Sequence, residues 1–332
     1  MPDLFGTNLI VAVIGIIGGT IFLYFGAEGL VRASVSVAFR AGIAPLVVGL
    51  TVVAFGTSMP ELIVSVSAAV QDKEGMSLGN IIGSNICNIA MIIGIAAIIR
   101  PIKVNIKLIR TDISIMIGVT LLLVLMLLDG AIDRGDGILL AGGIVAYNFV
   151  TIFLAKKSGG RETDSETEEM KTQSKRKTWI DILFIIGGMG FLVLGAHFFV
   201  GGASVIAVHL GASDVIIGLT LLAFGTSLPE LATSLVASFK GEGDISIGNA
   251  VGSNIFNILS VLGITAIVHP IVVGDSSMSG DVTPVDIGMM ILVAIILLPL
   301  ARTKMTISRK EGFFLLSIYV GYMFYLYTKM GG

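Results

Sequence analysis

Residues Gly49–Ile102 recur without a gap 169 residues further along the chain, at Gly218–Ile271. The first copy reads GLTVVAFGTSMPELIVSVSAAVQDKEGMSLGNIIGSNICNIAMIIGIAAIIRPI. The second reads GLTLLAFGTSLPELATSLVASFKGEGDISIGNAVGSNIFNILSVLGITAIVHPI. A duplication this long means one structural unit built twice. The identical polar positions are Thr57/Thr226, Ser58/Ser227, Glu61/Glu230, Asn80/Asn249, Ser84/Ser253, Asn85/Asn254 and Asn88/Asn257. Each copy therefore sets one carboxylate and several oxygen-bearing side chains inside an apolar segment.

That segment belongs in a bilayer. The chain is 55% hydrophobic and 13% charged, with a mean hydropathy of +0.97, whereas soluble domains carry about 25% charged residues. A helix needs about 20 mostly apolar residues to cross the hydrocarbon core. Ten stretches qualify, near residues 8–30, 43–70, 78–99, 112–128 and 137–155, then 180–202, 214–239, 247–268, 285–301 and 311–328. The first span of each half has room to run longer and tilt. Between the halves lies Lys156–Thr178, dense in both charge signs and almost free of apolar residues, which reads as a flexible linker. The units are thus residues 1–155, a polar linker at 156–178, and residues 179–332. The N-terminus lacks the basic region of a signal peptide, so the first span is expected to be retained. The single cysteine, Cys87, excludes an intramolecular disulfide and reads as a small apolar filler.

The repeat reaches beyond the central stretch. Phe22–Ala27 aligns with Phe191–Ala196 at the same offset, and Arg134, Gly137, Tyr147 and Phe149 align with Arg309, Gly312, Tyr322 and Phe324. The longer loop Asp275–Pro284 absorbs the difference in offset. Five spans per half is an odd number, so the second half must enter the membrane inverted. Cytoplasmic loops are enriched in Lys and Arg. With the linker in the cytoplasm, 18 of the 21 basic residues fall inside, leaving Lys73, Arg134 and Lys329 outside. Both termini are then outside. Inverted repeats recur in secondary transporters, with the binding site near the midplane.

The second and seventh spans each carry G-T-S-x-P-E at the middle. Pro60 and Pro229 should break these helices and free carbonyls upstream, around Ala54–Thr57 and Ala223–Thr226. Free carbonyls at membrane depth persist only in buried or wet sites, where they can bind a cation. Thr57 and Ser58 lie four and three residues before Glu61, so an unbroken helix would gather their oxygens on one side. A bare carboxylate at the bilayer centre costs about 2.5 kcal/mol or more, and no Lys or Arg in spans 2, 3, 7 or 8 lies at a depth to neutralise Glu61 or Glu230. In spans 3 and 8, Ser84 and Asn88, like Ser253 and Asn257, are four apart on one face. The small residues of GNIIGSN and GNAVGSN favour close helix approach. Asn80, Asn85, Asn249 and Asn254 divide evenly between ion site and interhelical hydrogen bonding.

The donors are all hard oxygens, which suit Ca²⁺ and Na⁺ and disfavour soft metals. Two ionised glutamates balance one Ca²⁺ or two Na⁺, and competition for shared carboxylates is the physical basis of antiport. Other polar residues read as structural. Glu28 and Arg32 form an i,i+4 pair, Asp112 and Asp286 mark equivalent helix starts, His209 and His269 fall in loops, and Trp179 marks an interface.

The doubled G-T-S-x-P-E followed by G-N-x-x-G-S-N resembles the alpha repeats of the Ca²⁺/cation antiporter superfamily, in particular the compact prokaryotic sodium/calcium exchangers. The resemblance spans the chain. It implies an all-α membrane protein of ten helices in two inverted five-helix repeats, with the second and seventh helices broken. It implies ions held between spans 2, 3, 7 and 8, with binding roles at Thr57, Ser58, Glu61, Ser84 and Asn88 and at Thr226, Ser227, Glu230, Ser253 and Asn257. Carbonyl contacts are implied near Ala54 and Ala223. It also implies that the long first and sixth helices slide across the rest. Some relatives carry Asp at the position of Asn257, so this chain lacks a possible third acid. The expected function is electrogenic Na⁺/Ca²⁺ antiport in the cell membrane, with Ca²⁺ and Na⁺ as substrates and the lipid bilayer as surroundings. No cofactor, nucleic acid or obligate protein partner is implied. H⁺/Ca²⁺ or K⁺-dependent exchange is the alternative, and a cation channel a remote one. An enzyme is weakest, since no His or Cys forms a nucleophile–base pair with the carboxylates.

Overall fold

The computed structural model describes residues 8–157, 177–210, 223–272 and 282–330. Most of the linker, the first part of the seventh span and most of the Asp275–Pro284 loop lie outside the described residues. The described residues are mainly helical, as α1 (Leu9–Ala41), α2 (Pro45–Thr57), α3 (Met59–Val70), α4 (Glu74–Ile99), α5 (Leu108–Asp129), α6 (Arg134–Lys157), α7 (Thr178–His209), α8 (Ala223–Thr226), α9 (Leu228–Lys240), α10 (Gly243–Val268), α11 (Pro284–Arg302) and α12 (Arg309–Met330). Among the described residues, seven helices are long and apolar enough to cross a membrane, or eight when the bent pair α2–α3 counts as one span. The ten spans expected from sequence are therefore not all matched by that count. The seventh lies partly in residues 211–222, outside the described residues, and α12 is diluted by Tyr319, Tyr322, Tyr325, Tyr327 and Thr328.

Polarity is arranged inside out. Large apolar side chains such as Ile14, Phe25, Val145, Phe149, Ile186 and Phe324 face outward. At the centre, α4 and α10 are the most buried helices, and they carry the asparagines and serines of both repeats. A surface this apolar is stable against lipid and not against water.

α1 begins on Asn8, whose side chain accepts the Ile10 N–H at 2.9 Å, and stops at Gly42, where φ is +64°. A left-handed residue ends a helix, and glycine adopts it without strain. Nothing between Gly29 and Ala41 breaks the helix, so it runs to 33 residues, about 50 Å, well past the 8–30 span read from hydropathy. α7 is similar at 32 residues. It runs through His209, which therefore occupies a last helical turn and not a loop. His269 caps the end of α10, with its imidazole 3.5 Å from Asp72 and 3.9 Å from Glu74.

α1 and α7 lie against each other along a glycine seam. A Cβ added at Gly26 would stand 2.8 Å from the Gly188 carbonyl oxygen, and one at Gly195 would stand 2.9 Å from that of Gly19. Buried Asp181 at the start of α7 pairs with Arg40 and accepts from Ser36 Oγ at 2.8 Å. The pair touches the broken helices at two glycines of the G-T-S motifs, with Met189 against Gly56 and Val200 against Gly225. Glu28 of α1 bonds both Arg32, as expected, and Lys240 at the end of α9, at 2.6 and 3.0 Å.

The two halves interlock by contacts made twice. Gly94 of α4 packs on Gly312 of α12, and Gly263 of α10 packs on Gly137 of α6. Strand β1 (Ile102–Lys103) pairs with β4 (Thr306–Ile307), and β2 (Ala131–Ile132) pairs with β3 (Ile271–Val272), all antiparallel. Tyr147 donates to Asp112 at 3.1 Å, and Tyr322 donates to Asp286 at 2.7 Å. Asp286 stands at a helix start, in a capping box with Thr283. Asp112 closes a wide i→i+5 turn, Leu108–Asp112, so its helix begins earlier than the charge pattern predicts.

Candidate cation site

The prolines break their helices where the sequence places them. Pro60 has no N–H to offer the Gly56 carbonyl, and α2 and α3 meet at Ser58 with a 42° bend. Ser58 has φ −82° and ψ 4°, and Ser227 at the other break has φ −87° and ψ 3°. The Ala54 carbonyl accepts the Ser58 N–H at 3.0 Å and the Thr57 hydroxyl at 3.4 Å. Ala223 opens the equivalent turn, Ala223–Thr226. The break leaves Glu61 and Glu230 in the first turns of α3 and α9.

Both glutamates are fully buried, and every other candidate side chain of the two motifs is buried with them: Thr57, Ser58, Ser84 and Asn88, and Thr226, Ser227, Ser253 and Asn257. Among the described residues no Lys, Arg or His forms an ion pair with either carboxylate.

The motif hydroxyls Thr57, Ser58 and Ser227 reach the opposite repeat, which spacing alone did not reveal, while Ser253 serves its own. Ser227 Oγ lies 3.4 Å from Glu61 Oε1, to which it can donate, and 3.2 Å from Ser84 Oγ. Ser58 Oγ and Ser253 Oγ donate to Glu230 Oε1 at 3.3 and 3.4 Å. Thr57 Oγ1 reaches Asn249 Oδ1 at 3.0 Å and Ser253 Oγ at 3.4 Å. An unbroken helix would have turned Ser58 and Thr57 toward Glu61. The change of direction at Ser58 turns them to the other copy instead.

Asn80 and Asn249 clamp the breaks. Asn80 Nδ2 donates to the Glu61 carbonyl at 3.3 Å and to Ser65 Oγ at 3.0 Å, while its Oδ1 accepts from Thr226 at 3.2 Å. Asn249 donates to the Glu230 carbonyl at 3.3 Å and to Ser234 Oγ at 3.1 Å. Close approach of α10 to α2 rests on Gly248 and Gly252, where an added Cβ would stand 2.9 Å from the Leu46 carbonyl and 2.7 Å from that of Leu50. Wide i→i+5 turns begin at Cys87 in α4 and at Asn257 in α10. Such turns cluster at functional sites, and they shift Asn88 and Asn257 off the regular helix face. Cys87 is buried, as its reading as a filler anticipates.

Four buried oxygens in this cluster have no hydrogen-bond partner: Glu61 Oε2, Glu230 Oε2, Asn88 Oδ1 and Asn257 Oδ1. They are the same two atoms of each repeat. A buried acceptor without a partner is costly, and four that match by repeat point to a common cause. Carboxylate and amide oxygens are the donors that a hard cation takes.

Both halves of the chain match known proteins. The family described as "Sodium/calcium exchanger protein" matches residues 11–153 and 180–328, one match in each half. CaxA of Alkalimonas amylolytica is 37% identical over 97% of this chain and all of its own length. The sodium/calcium exchanger MaX1 of Methanosarcina acetivorans is 31% identical over 93% of this chain and 96% of its own. A structure of the sodium-calcium exchanger NCX_Mj soaked with zero Na⁺ and Ca²⁺ is similar with a TM-score of 0.80. It covers 96% of this chain and 100% of that one, at 31% identity. With both halves matched by the family, and with the fold matched at that identity, the chain belongs to the sodium/calcium exchanger family of membrane proteins.

Proposed function

We propose that this protein is a secondary antiporter that exchanges Na⁺ for Ca²⁺ across the cell membrane by alternating access. The reading rests above all on the four partnerless oxygens of Glu61, Glu230, Asn88 and Asn257. Two carboxylates neutralise one Ca²⁺, and the hydroxyls of Thr57, Ser58, Ser84, Thr226, Ser227 and Ser253 supply further hard donors for Na⁺. The Ala54 and Ala223 carbonyls are the backbone candidates. When Na⁺ occupies the site, two ions balance the same charge, and a third leaves one positive charge in excess, which makes transport electrogenic. The likeness to MaX1 and NCX_Mj, both sodium/calcium exchangers, supports sodium as the coupling ion.

The proposed topology is ten spans in two inverted repeats, both termini outside and the linker in the cytoplasm. The repeated contacts between halves and the placement of basic residues support it. In this topology the α1–α7 pair is the moving body, sliding over Gly56 and Gly225 so that a fixed site opens to one side and then the other.

Purified protein in liposomes loaded with Na⁺ should take up Ca²⁺ on dilution into Na⁺-free buffer, with uptake accelerated by an inside-positive potential for the three-Na⁺ exchange. Uptake driven equally well by a pH gradient without Na⁺ would replace the proposal with H⁺/Ca²⁺ exchange. A requirement for K⁺ would make the exchange K⁺-dependent, and conductance without countertransport would make the protein a channel.

A further inference from the structure

An asparagine is an ambiguous cation ligand. Its carbonyl oxygen attracts a cation and its NH₂ group repels one, yet the two ends occupy nearly the same space. A site that uses Asn88 and Asn257 needs something to choose the end. We propose that Asn85 and Asn254 are the positioning residues that make this choice, and that Met116 and Met290 fix their direction in turn. The inference rests on the ion-site reading above.

Asn88 Nδ2 donates to Asn254 Oδ1 at 3.0 Å, and Asn257 Nδ2 donates to Asn85 Oδ1 at 3.5 Å. Each bond engages the NH₂ end and leaves Oδ1 as the partnerless buried acceptor. It works only while Asn254 and Asn85 present oxygen. Asn254 Nδ2 is held by the Asn85 carbonyl at 3.1 Å and by Met116 Sδ at 3.7 Å. Asn85 Nδ2 is held by Met290 Sδ at 3.9 Å. A thioether accepts weakly and has no hydrogen to donate. An amide beside it therefore gains by turning its NH₂ end to the sulfur, which sends its oxygen toward the ligand asparagine.

The relay is built twice. Each runs from a methionine through the G-S-N asparagine of one repeat to the ligand asparagine of the other. Met116 and Met290 lie four residues after Asp112 and Asp286, which stand at equivalent places in the two halves. All six side chains are buried, so bulk water does not compete for these groups. A carboxylate at position 257 would need no such relay, because either of its oxygens can face the ion.

Calcium binding to the purified full-length protein, measured by calorimetry, tests this in two backgrounds. Met290→Leu keeps the apolar volume and removes the acceptor, and Asn85→Leu removes the relay. In the native background Asn85→Leu should weaken Ca²⁺ binding about tenfold or more, and Met290→Leu about threefold. In the Asn257→Asp background each should change affinity less than about twofold, because the carboxylate offers oxygen in either orientation. If Asn85→Leu does not fold, Met290→Leu carries the comparison. Unchanged affinity in the native background, or the same loss in both backgrounds, would overturn the relay and leave these residues as packing groups. Glu61→Gln separates the two levels. Ca²⁺ binding that survives it overturns the ion site itself, whereas binding lost there and unmoved by Met290→Leu overturns only the relay.

Discussion

Replacing either Glu61 or Glu230 by Gln is expected to lower Na⁺-driven Ca²⁺ uptake about a hundredfold or more, since removing one partner from a buried charged contact costs about 2–5 kcal/mol. The two glutamates are the acids of the candidate site, one from each repeat, and both are fully buried. With one left, the site carries a single negative charge against a doubly charged ion. Gln preserves size and the hydrogen bonds that Ser227 and Ser58 can redirect, so the variants should be retained in the membrane at native levels. Uptake by reconstituted vesicles, normalised to folded protein, is the measurement. Losses of the same order are expected for the two variants, because each glutamate accepts from a serine of the opposite repeat, Glu61 from Ser227 and Glu230 from Ser58.

A second large effect should come from the seam of α1 and α7. Leucine at Gly188 would drive a side chain into the Gly26 carbonyl and the Leu30 backbone, at 2.8 and 3.1 Å from its Cβ alone. Backbone cannot move aside as a side-chain tip does, so Gly188→Leu should cost about 3 kcal/mol. Gly187, one residue earlier in the same helix, has no described neighbour within 4 Å of an added Cβ. Gly187→Leu should therefore stay within about 0.5 kcal/mol of the native protein. Thermal unfolding of the two variants side by side reads the difference. The comparison matters for function because, in the proposed mechanism, the two long helices slide as one body held by their backbone contact. Exchange by Gly188→Leu protein that remains folded should also be impaired, and exchange by Gly187→Leu protein should not.

Much of this site was legible because a repeat exposes itself. Glu61 and Glu230 stood out as carboxylates without a basic neighbour in apolar segments, and the prolines announced the breaks. Ser84, Asn88, Ser253 and Asn257 fell on one helical face by spacing alone. What stayed hidden depended on contacts between copies. Ser58 lies three residues from Glu61 yet bonds Glu230, because the chain changes direction at Ser58 itself. Asn85 and Asn254 could be divided only evenly between ion site and helix contact, since their role lies in which end of each amide faces its neighbour. Met116 and Met290 gave no signal, being ordinary apolar residues in apolar helices. The first helix of each half runs longer than its apolar span, as the room for it in the sequence allows. Hydropathy marks where a helix meets lipid, while α1 continues to Gly42, where a left-handed turn ends it. His209 was misplaced for the same reason, since α7 carries it as a final turn.

In the proposed site one divalent cation sits between the two repeats on Glu61 and Glu230. Anomalous diffraction from crystals soaked in Sr²⁺, a heavier stand-in for Ca²⁺, locates that ion directly. A single peak is expected within about 2.3–2.6 Å of Glu61 Oε2 and Glu230 Oε2, with Asn88 Oδ1 and Asn257 Oδ1 facing it, and Na⁺ should abolish the peak by competition. A peak bound to only one of the glutamates, or no peak between them while Sr²⁺ binds elsewhere, would contradict a site shared by the two halves.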